Sequence, residues 1–185
     1  MFSLRVDDEL ELALPDEEGL EEVYSLIMTN YEHVREWSQW LNEDFTLDMA
    51  RRFHRRNMEG FERGEEIHLR IIFKGRIAGS VEMFHIDKRH RSAEIGYWLA
   101  KDYTGRGLMT RSVIRVLEHA FGELLLNRVV MKCVPENLKS RAIPEKLGFT
   151  AEGIERQSGW LHTRFVDHVV YSLLAGEWRQ SLRDK

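Results

Sequence analysis

Cysteine occurs once and proline three times in 185 residues, and no apolar run is long enough to cross a bilayer. Each shortage excludes something. A single thiol, Cys133, cannot close an internal disulfide, which removes the stapled secreted modules. It sits between Lys132 and Val134 in an apolar, strand-like run, where a core thiol is expected rather than a nucleophile. A membrane-spanning helix needs about 20 consecutive apolar residues, so no membrane partner is expected. The opening Met-Phe-Ser-Leu-Arg-Val-Asp-Asp-Glu lacks the apolar stretch of a signal peptide, and a reducing cytoplasm is the expected compartment. Basic excess is also missing. With 27 Lys and Arg against 31 Asp and Glu, the net charge is −4, so composition makes no case for direct nucleic-acid binding. There is no Gly-x-x-x-x-Gly-Lys-Ser/Thr phosphate loop, no His-Glu-x-x-His and no cysteine pair, and no metal is expected.

What remains is material for one domain, residues 1–185, with 43% hydrophobic and 31% charged residues. Leu10, Leu12 and Leu14 alternate with charged or small residues and predict a strand. Pro15-Asp16-Glu17-Glu18 reads as a helix start, proline and acids lying toward the positive end of the dipole; Leu20, Val23, Tyr24 and Ile27 supply the apolar face. Residues 31–45 are rich in aromatics (Tyr31, Trp37, Trp40, Phe45), serving as packing or as the wall of a groove. Thr46 is placed to cap a helix that carries Leu47, Ala50, His54, Met58 and Phe61 on one face and stops at Gly64.

Three strands follow at 68–73, 76–86 and 92–100, joined by short polar turns as an antiparallel meander. Another strand covers 127–134, a helix runs from Asn137 to Leu147, and two last strands flank a polar turn around 159–163. A helix lies between the strand ending at Ala100 and the one starting at Asn127, so these two should be parallel neighbours. The expected fold class is α+β, a mostly antiparallel sheet containing one parallel pair.

The stretch 95–121 joins that pair. Aromatic and aliphatic residues at strand spacing break at Gly105-Arg106-Gly107. Met109, Val113, Val116, Leu117, Ala120, Phe121 and Leu124 then recur on one helical face. The glycines let the chain turn tightly and leave no Cβ over the helix N-terminus. There unpaired amides and the helix dipole favour an anion such as a pyrophosphate, with Arg106 placed to add a charge-assisted contact. Alone, a Gly-x-Gly turn between a strand and a helix is common geometry.

Several stretches acquire meaning from their order: Ala93-Glu-Ile-Gly-Tyr-Trp-Leu99, Gly105-Arg-Gly-Leu-Met-Thr110, Asn137-Leu-Lys-Ser140, Glu145-Lys-Leu-Gly-Phe149, Glu152-Gly153 and Glu177-Trp178. Together they resemble a GCN5-related N-acetyltransferase, in the RimJ/RimL-like branch that acetylates N-termini of ribosomal proteins. The resemblance implies helices on both faces of the sheet and acetyl-coenzyme A as donor. Its pyrophosphate would lie on Thr104, Gly105, Arg106, Gly107, Leu108, Met109 and Thr110, and its pantetheine between the parallel strands. The backbone of Trp98 and Leu99 would pair with the pantetheine amides, and Asn137 and Ser140 would sit near the thioester sulfur. The acceptor it implies is a protein N-terminus; a small amine or a non-catalytic coenzyme A-binding role are the alternatives.

Four positions, Thr104, Met109, Pro144 and Gly159, depart from the family pattern. The usual Gln/Arg-x-x-Gly-x-Gly/Ala reads Thr104-Gly-Arg-Gly-Leu-Met109, so a smaller final residue is lost. Pro144 stands where many relatives carry a tyrosine that protonates the departing thiolate, a role that would pass to Ser140 or water. Gly159 stands where RimL-like relatives carry a carboxylate. For a base, a hairpin turn centred near Arg89 sets Glu82 opposite Gly96 and Glu94 opposite Phe84, both acids on one face with Gly96 and Trp98 and His85 on the other. The pair is either a solvated strand face or a device that draws a cationic amine and removes its proton through water. An α-amino group, with a pKa of about 7.7–8.0, is far more often neutral near pH 7 than a lysine at about 10.4, which favours an N-terminal acceptor. The apolar last strand and aromatic-rich helical region allow a homodimer.

Overall fold

Every strand pairing but one is antiparallel, and that exception positions the site. The computed structural model describes residues 2–183. In chain order come β1 (Ser3–Arg5), β2 (Leu10–Ala13), α1 (Leu20–Thr29), α2 (Tyr31–Arg35), α3 (Leu47–Arg63), β3 (Ile67–Phe73), β4 (Arg76–Asp87) and β5 (Ser92–Leu99). Then follow α4 (Leu108–Glu118), β6 (Arg128–Cys133), α5 (Leu138–Lys146), β7 (Thr150–Leu161), β8 (Arg164–Leu174) and α6 (Ala175–Arg183). The strands form one sheet in the order β1-β2-β3-β4-β5-β6-β8-β7. The α4 crossover makes β5 and β6 parallel, as the intervening helix predicted, but over three rungs only: Ser92–Arg128, Ala93–Val129 and Glu94–Val130. Beyond them β5 stays paired with β4 as far as Leu99, while β6 stays paired with β8. The sheet therefore parts, and residues 95–99 present a free edge.

Period-two alternation sorts the side chains. Val81, Met83, Ala93, Ile95, Val129 and Met131 are buried on one face, in the same core as Leu108, Met109, Val113, Val116 and Leu117 of α4. On the other face a second apolar cluster of Ile27, Val34, Leu41, Phe45 and Ala50 packs with Trp98. Helices thus cover both faces. The expected register also holds, with Glu82 opposite Gly96 and Phe84 opposite Glu94.

Several local expectations are corrected. Residues 15–18 lie outside α1: the Asp16 carboxylate accepts the Gly19 amide at 2.8 Å and Arg70 Nη1 at 2.6 Å, which makes a turn ahead of the helix. β1 is too short to show periodicity and exists through its pairing with β2. Leu124, expected on the buried face of α4, is exposed, because a wide turn at His119–Glu123 shifts the helical period after Glu118. Thr46 caps α3 as expected, its hydroxyl accepting the Met49 amide at 3.3 Å.

Glu152 clasps the far edge of the sheet. Its oxygens accept Arg128 Nη1 and Nη2 at 2.6 and 2.5 Å, and the Ser172 hydroxyl donates at 2.8 Å. The Arg128 contact, helped by Ser172, holds the Glu152 carboxyl at about 2, against an ordinary 4.5. Such a group stabilises the fold above its unfolded pKa and loses that contribution as pH falls through the folded one. Because the side chain is 39% exposed, solvent screening keeps the effect small. Glu152→Gln is expected to lower Tm at pH 7 by about 2 °C, with the deficit vanishing between pH 4.5 and about 2 in a calorimetric pH series.

Candidate functional site

The turn after β5 has the geometry that its glycines call for. Gly105 and Gly107 have φ of 75° and 72°, and a Cβ on either would meet nothing within 4 Å. The first helical bond runs from the Arg111 amide to the Gly107 carbonyl, so the amides of Leu108, Met109 and Thr110 point out of the N-terminus of α4. Arg106 is exposed, its guanidinium 5.8 Å from the Tyr103 ring centroid. Met109, off the family pattern, is buried in the main core and does not crowd the turn. Thr104 donates its hydroxyl to the Lys101 carbonyl at 2.8 Å. A bare concave backbone with free amides and a cation suits a polyanion such as a pyrophosphate.

The free edge of β5 leads away from this turn. The Trp98 carbonyl passes so close to Gly79 that a Cβ there would sit 2.2 Å from it, while the Leu99 carbonyl accepts His33 Nε2 at 3.2 Å. Where β5 and β6 part, three side chains meet on the α4 and α5 side. The Tyr97 hydroxyl donates to the Ser140 carbonyl at 3.0 Å, the Ser140 hydroxyl donates to the Tyr97 oxygen at 3.3 Å, and Cys133 Sγ lies 3.4 Å from Ser140 Oγ. Asn137 caps α5, accepting the Ser140 amide at 3.1 Å, and this cap sets the position of Ser140. Burial pushes the Tyr97 phenol well above its ordinary value and raises the Cys133 thiol too, so both stay protonated at neutral pH. Tyr97 escaped the sequence reading. Its alternation, opposite to Gly96 and Trp98, was the signal that it faces α5.

The opposite face carries the acids. Glu82 and Glu94 share it with Gly96 and Trp98, as the register predicted, yet their surroundings differ. The Glu82 carboxylate accepts the Ser80 hydroxyl at 3.0 Å and lies 3.5 Å from His68 Nδ1; His68 Nε2 is 2.6 Å from Glu66. Glu94 lies 3.2 Å from His85 Nδ1 and 3.8 Å from Lys132 Nζ. His85 was expected on the other face. A bulge after Phe84, with His85 at φ 52°, turns it back toward Glu94.

Behind Glu82 opens a cavity of about 570 Å³ under α1 and α3, walled by Trp40, Phe45, Phe53, Phe84 and Trp98, with Glu66, His68 and Glu82 at its polar end. The aromatic connection thus both packs and walls a groove. At Gly159 a Cβ would sit 2.5 Å from His168 Cε1 and 2.6 Å from Gln39 Nε2. An imidazole held by Ser158 at 2.8 Å occupies the space next to that position. Among the described residues, no cluster of three or more His, Cys, Asp or Glu has metal-site geometry, and no helix is long and apolar enough to cross a membrane.

The acetyltransferase (GNAT) domain family matches residues 9–150, which takes in the turn, the parted strands and the acidic face. The chain belongs to this family of N-acetyltransferases. YdaF of Bacillus subtilis (strain 168), provisionally named a ribosomal N-acetyltransferase, is 31% identical, covering 96% of this chain and 98% of its own. The microcin self-immunity acetyltransferase MccE, solved with acetyl-CoA and AMP, is 30% identical at a TM-score of 0.86, covering 91% of this chain and 94% of its own. RimL, a ribosomal alpha-N-protein acetyltransferase solved with coenzyme A, superposes at a TM-score of 0.91 with 24% identity, covering 95% of this chain and 99% of its own. That likeness shows the GNAT fold.

Proposed function

We propose that this GNAT enzyme moves an acetyl group from acetyl-coenzyme A to the N-terminal α-amino group of a protein, a ribosomal protein in the first instance, in the cytoplasm. The observation that carries the reading is the meeting of three things at the parting of β5 and β6: a bare anion cradle, an unpaired strand edge, and a carboxylate-lined face opening on a cavity. The amides of 108–110 and Arg106 would hold the pyrophosphate, and residues 98–99 would run alongside the pantetheine. The bound donor supplies an activated acetyl thioester. Glu82 and Glu94 draw in the cationic amine, Glu82 on the way to proton removal. Ser140, whose amide the Asn137 cap holds and whose hydroxyl touches Tyr97, would protonate the departing sulfur, the role that Pro144 leaves open. Cys133, buried and protonated, takes no covalent role. An α-amine of pKa about 7.7–8.0 suits a site without a strong base, and the ribosomal name of YdaF supports the same acceptor class.

A second reading, a small amine as acceptor, is favoured by the aromatic walls of the cavity, which are roomier than an N-terminal serine or alanine requires. Profiling acetyl-CoA turnover on peptides with free Ser, Ala and Thr N-termini, beside a panel of small amines, separates the two. Binding of coenzyme A without turnover on any amine would point to a non-catalytic module instead.

Two substitutions test the placement. Gly107→Val is expected to weaken coenzyme A binding at least tenfold in calorimetry, a loss of about 1.4 kcal/mol or more. Gly107→Ala also sits at positive φ, with less bulk and without the extra penalty of β-branching, so a fold-stability measurement on both variants separates strain from occlusion of the cradle, and equal, wild-type affinities would remove the pyrophosphate from it. Glu94→Gln is expected to lower kcat/KM for the amine about tenfold while coenzyme A affinity stays unchanged; a wild-type pH–rate profile would count against its role.

A further inference from the structure

His68, Glu66 and Glu82 form a connected group whose full length the acceptor reading does not use. Cross-strand pairing sets Gly96, Glu82 and His68 in one row over β5, β4 and β3. Facing residues in such a row stand about 4.5–5.5 Å apart at Cβ. Gly96 adds no side chain of its own and the Phe84 ring lies over it, so Glu82 is the first polar side chain of the row. Behind it come His68 Nδ1 at 3.5 Å and, from the ring's other nitrogen at 2.6 Å, Glu66. All three line the cavity, with side chains 29%, 16% and 17% exposed. In the neutral ring a proton on Nε2 donates across this short contact to Glu66 and leaves the Nδ1 lone pair facing Glu82; in the charged ring both nitrogens donate.

We propose that this row is a proton relay: Glu82 takes the proton from the incoming amine and passes it to His68 Nδ1, with Glu66 fixing the ring's tautomer and stabilising its charged form. The relay rests on the acetyltransferase reading and completes its proton balance. An ammonium nitrogen gives up two protons on becoming an amide nitrogen. As the N–C bond forms and the C–S bond breaks, one proton ends on the departing sulfur. The other must leave the site, and it travels through Glu82 to His68 and then to solvent between turnovers. Burial pulls the His68 pKa down, but Glu82 and Glu66 outweigh it and raise it above the ordinary 6.5. Burial pushes Glu82 up, but His68 and Ser80 outweigh it and hold the carboxylate ionised.

The other charged or titratable groups on the cavity are His54 and Arg56 from α3, Glu65 before β3, Arg70 from β3 and His85 from β4. Arg70 is engaged by Asp16 at 2.6 Å, and burial with the Arg70 charge keeps His54 neutral. His85 is exposed and turned to Glu94, so it is the rival relay.

Two measurements on the full chain test this. NMR titration of the His68 ring with coenzyme A present should give a pKa above the ordinary histidine value, falling in both Glu66→Gln and Glu82→Gln. A pKa at or below that value, or one indifferent to both substitutions, overturns the relay. The second is the pH–rate profile for acetylation of a synthetic peptide with a free N-terminal serine, and of spermidine. A base works in its neutral form, so kcat/KM should rise as pH climbs through the His68 pKa. His68→Gln should cut kcat/KM at pH 7 by about ten- to a hundredfold, erase that limb and leave KM for acetyl-CoA within about twofold. Glu66→Gln, the milder change, should move the limb to lower pH, which a merely structural role would not do. An unchanged profile in His68→Gln, or the same loss in His85→Gln instead, overturns the relay alone. A wild-type enzyme that acetylates neither probe overturns the acceptor reading and the relay with it.

Discussion

Three parallel rungs, Ser92–Arg128, Ala93–Val129 and Glu94–Val130, hold the two halves of the sheet together at one end and let them part at the other. The crossover explains why everything else gathers there. A parallel connection must leave β5 at its C-terminal end and return by a helix, so the N-terminus of α4 opens at the mouth of the parting. Free amides from the helix and free main-chain groups from the strand edge therefore face the same space. Extending the ladder through residues 95–99 would close the edge, leaving the glycine turn with nothing beside it.

The parting also divides the chemistry by face. On one side Tyr97, Ser140 and Cys133 form a hydroxyl–thiol group that burial keeps protonated. On the other stand Glu82 and Glu94, carboxylates held by imidazoles and, for Glu94, a lysine. Tyr97 and Glu94, three residues apart on β5, thus put a proton-donating and a proton-accepting group on opposite faces. Strand positions an odd number of residues apart cannot share a face, so the two sets cannot neutralise each other directly. Such a separation suits a reaction in which one atom loses protons while another gains one.

The family's departures have local explanations. Met109 fills the core beneath the helix start and leaves the cradle open. Pro144 sits inside α5, and the hydroxyl that reaches Ser140 comes instead from Tyr97 on β5. Gly159 has no room for a side chain, because the His168 ring and the Gln39 amide lie where its Cβ would point.

Much of this was legible in the chain. The strand–glycine turn–helix, the parallel pair, the cap at Thr46, the helix start at Asn137 and the common face of Glu82 and Glu94 follow from local spacing, because backbone periodicity and capping act over a few residues. The partners of those groups were not legible. Counting back from the Lys74-Gly75 turn pairs His68 with Val81 and points it away from Glu82. An extra residue between Ile71 and Ile72's partners, Gly79 and Ile77, shifts the register by one and turns it toward Glu82. The bulge at His85 does the same beside Glu94. Sequence by itself determined most of the elements and the glycine turn ahead of α4. Tertiary structure decided which side chains meet across strands, since a one-residue bulge, set by packing over the whole sheet, reverses the face of everything beyond it.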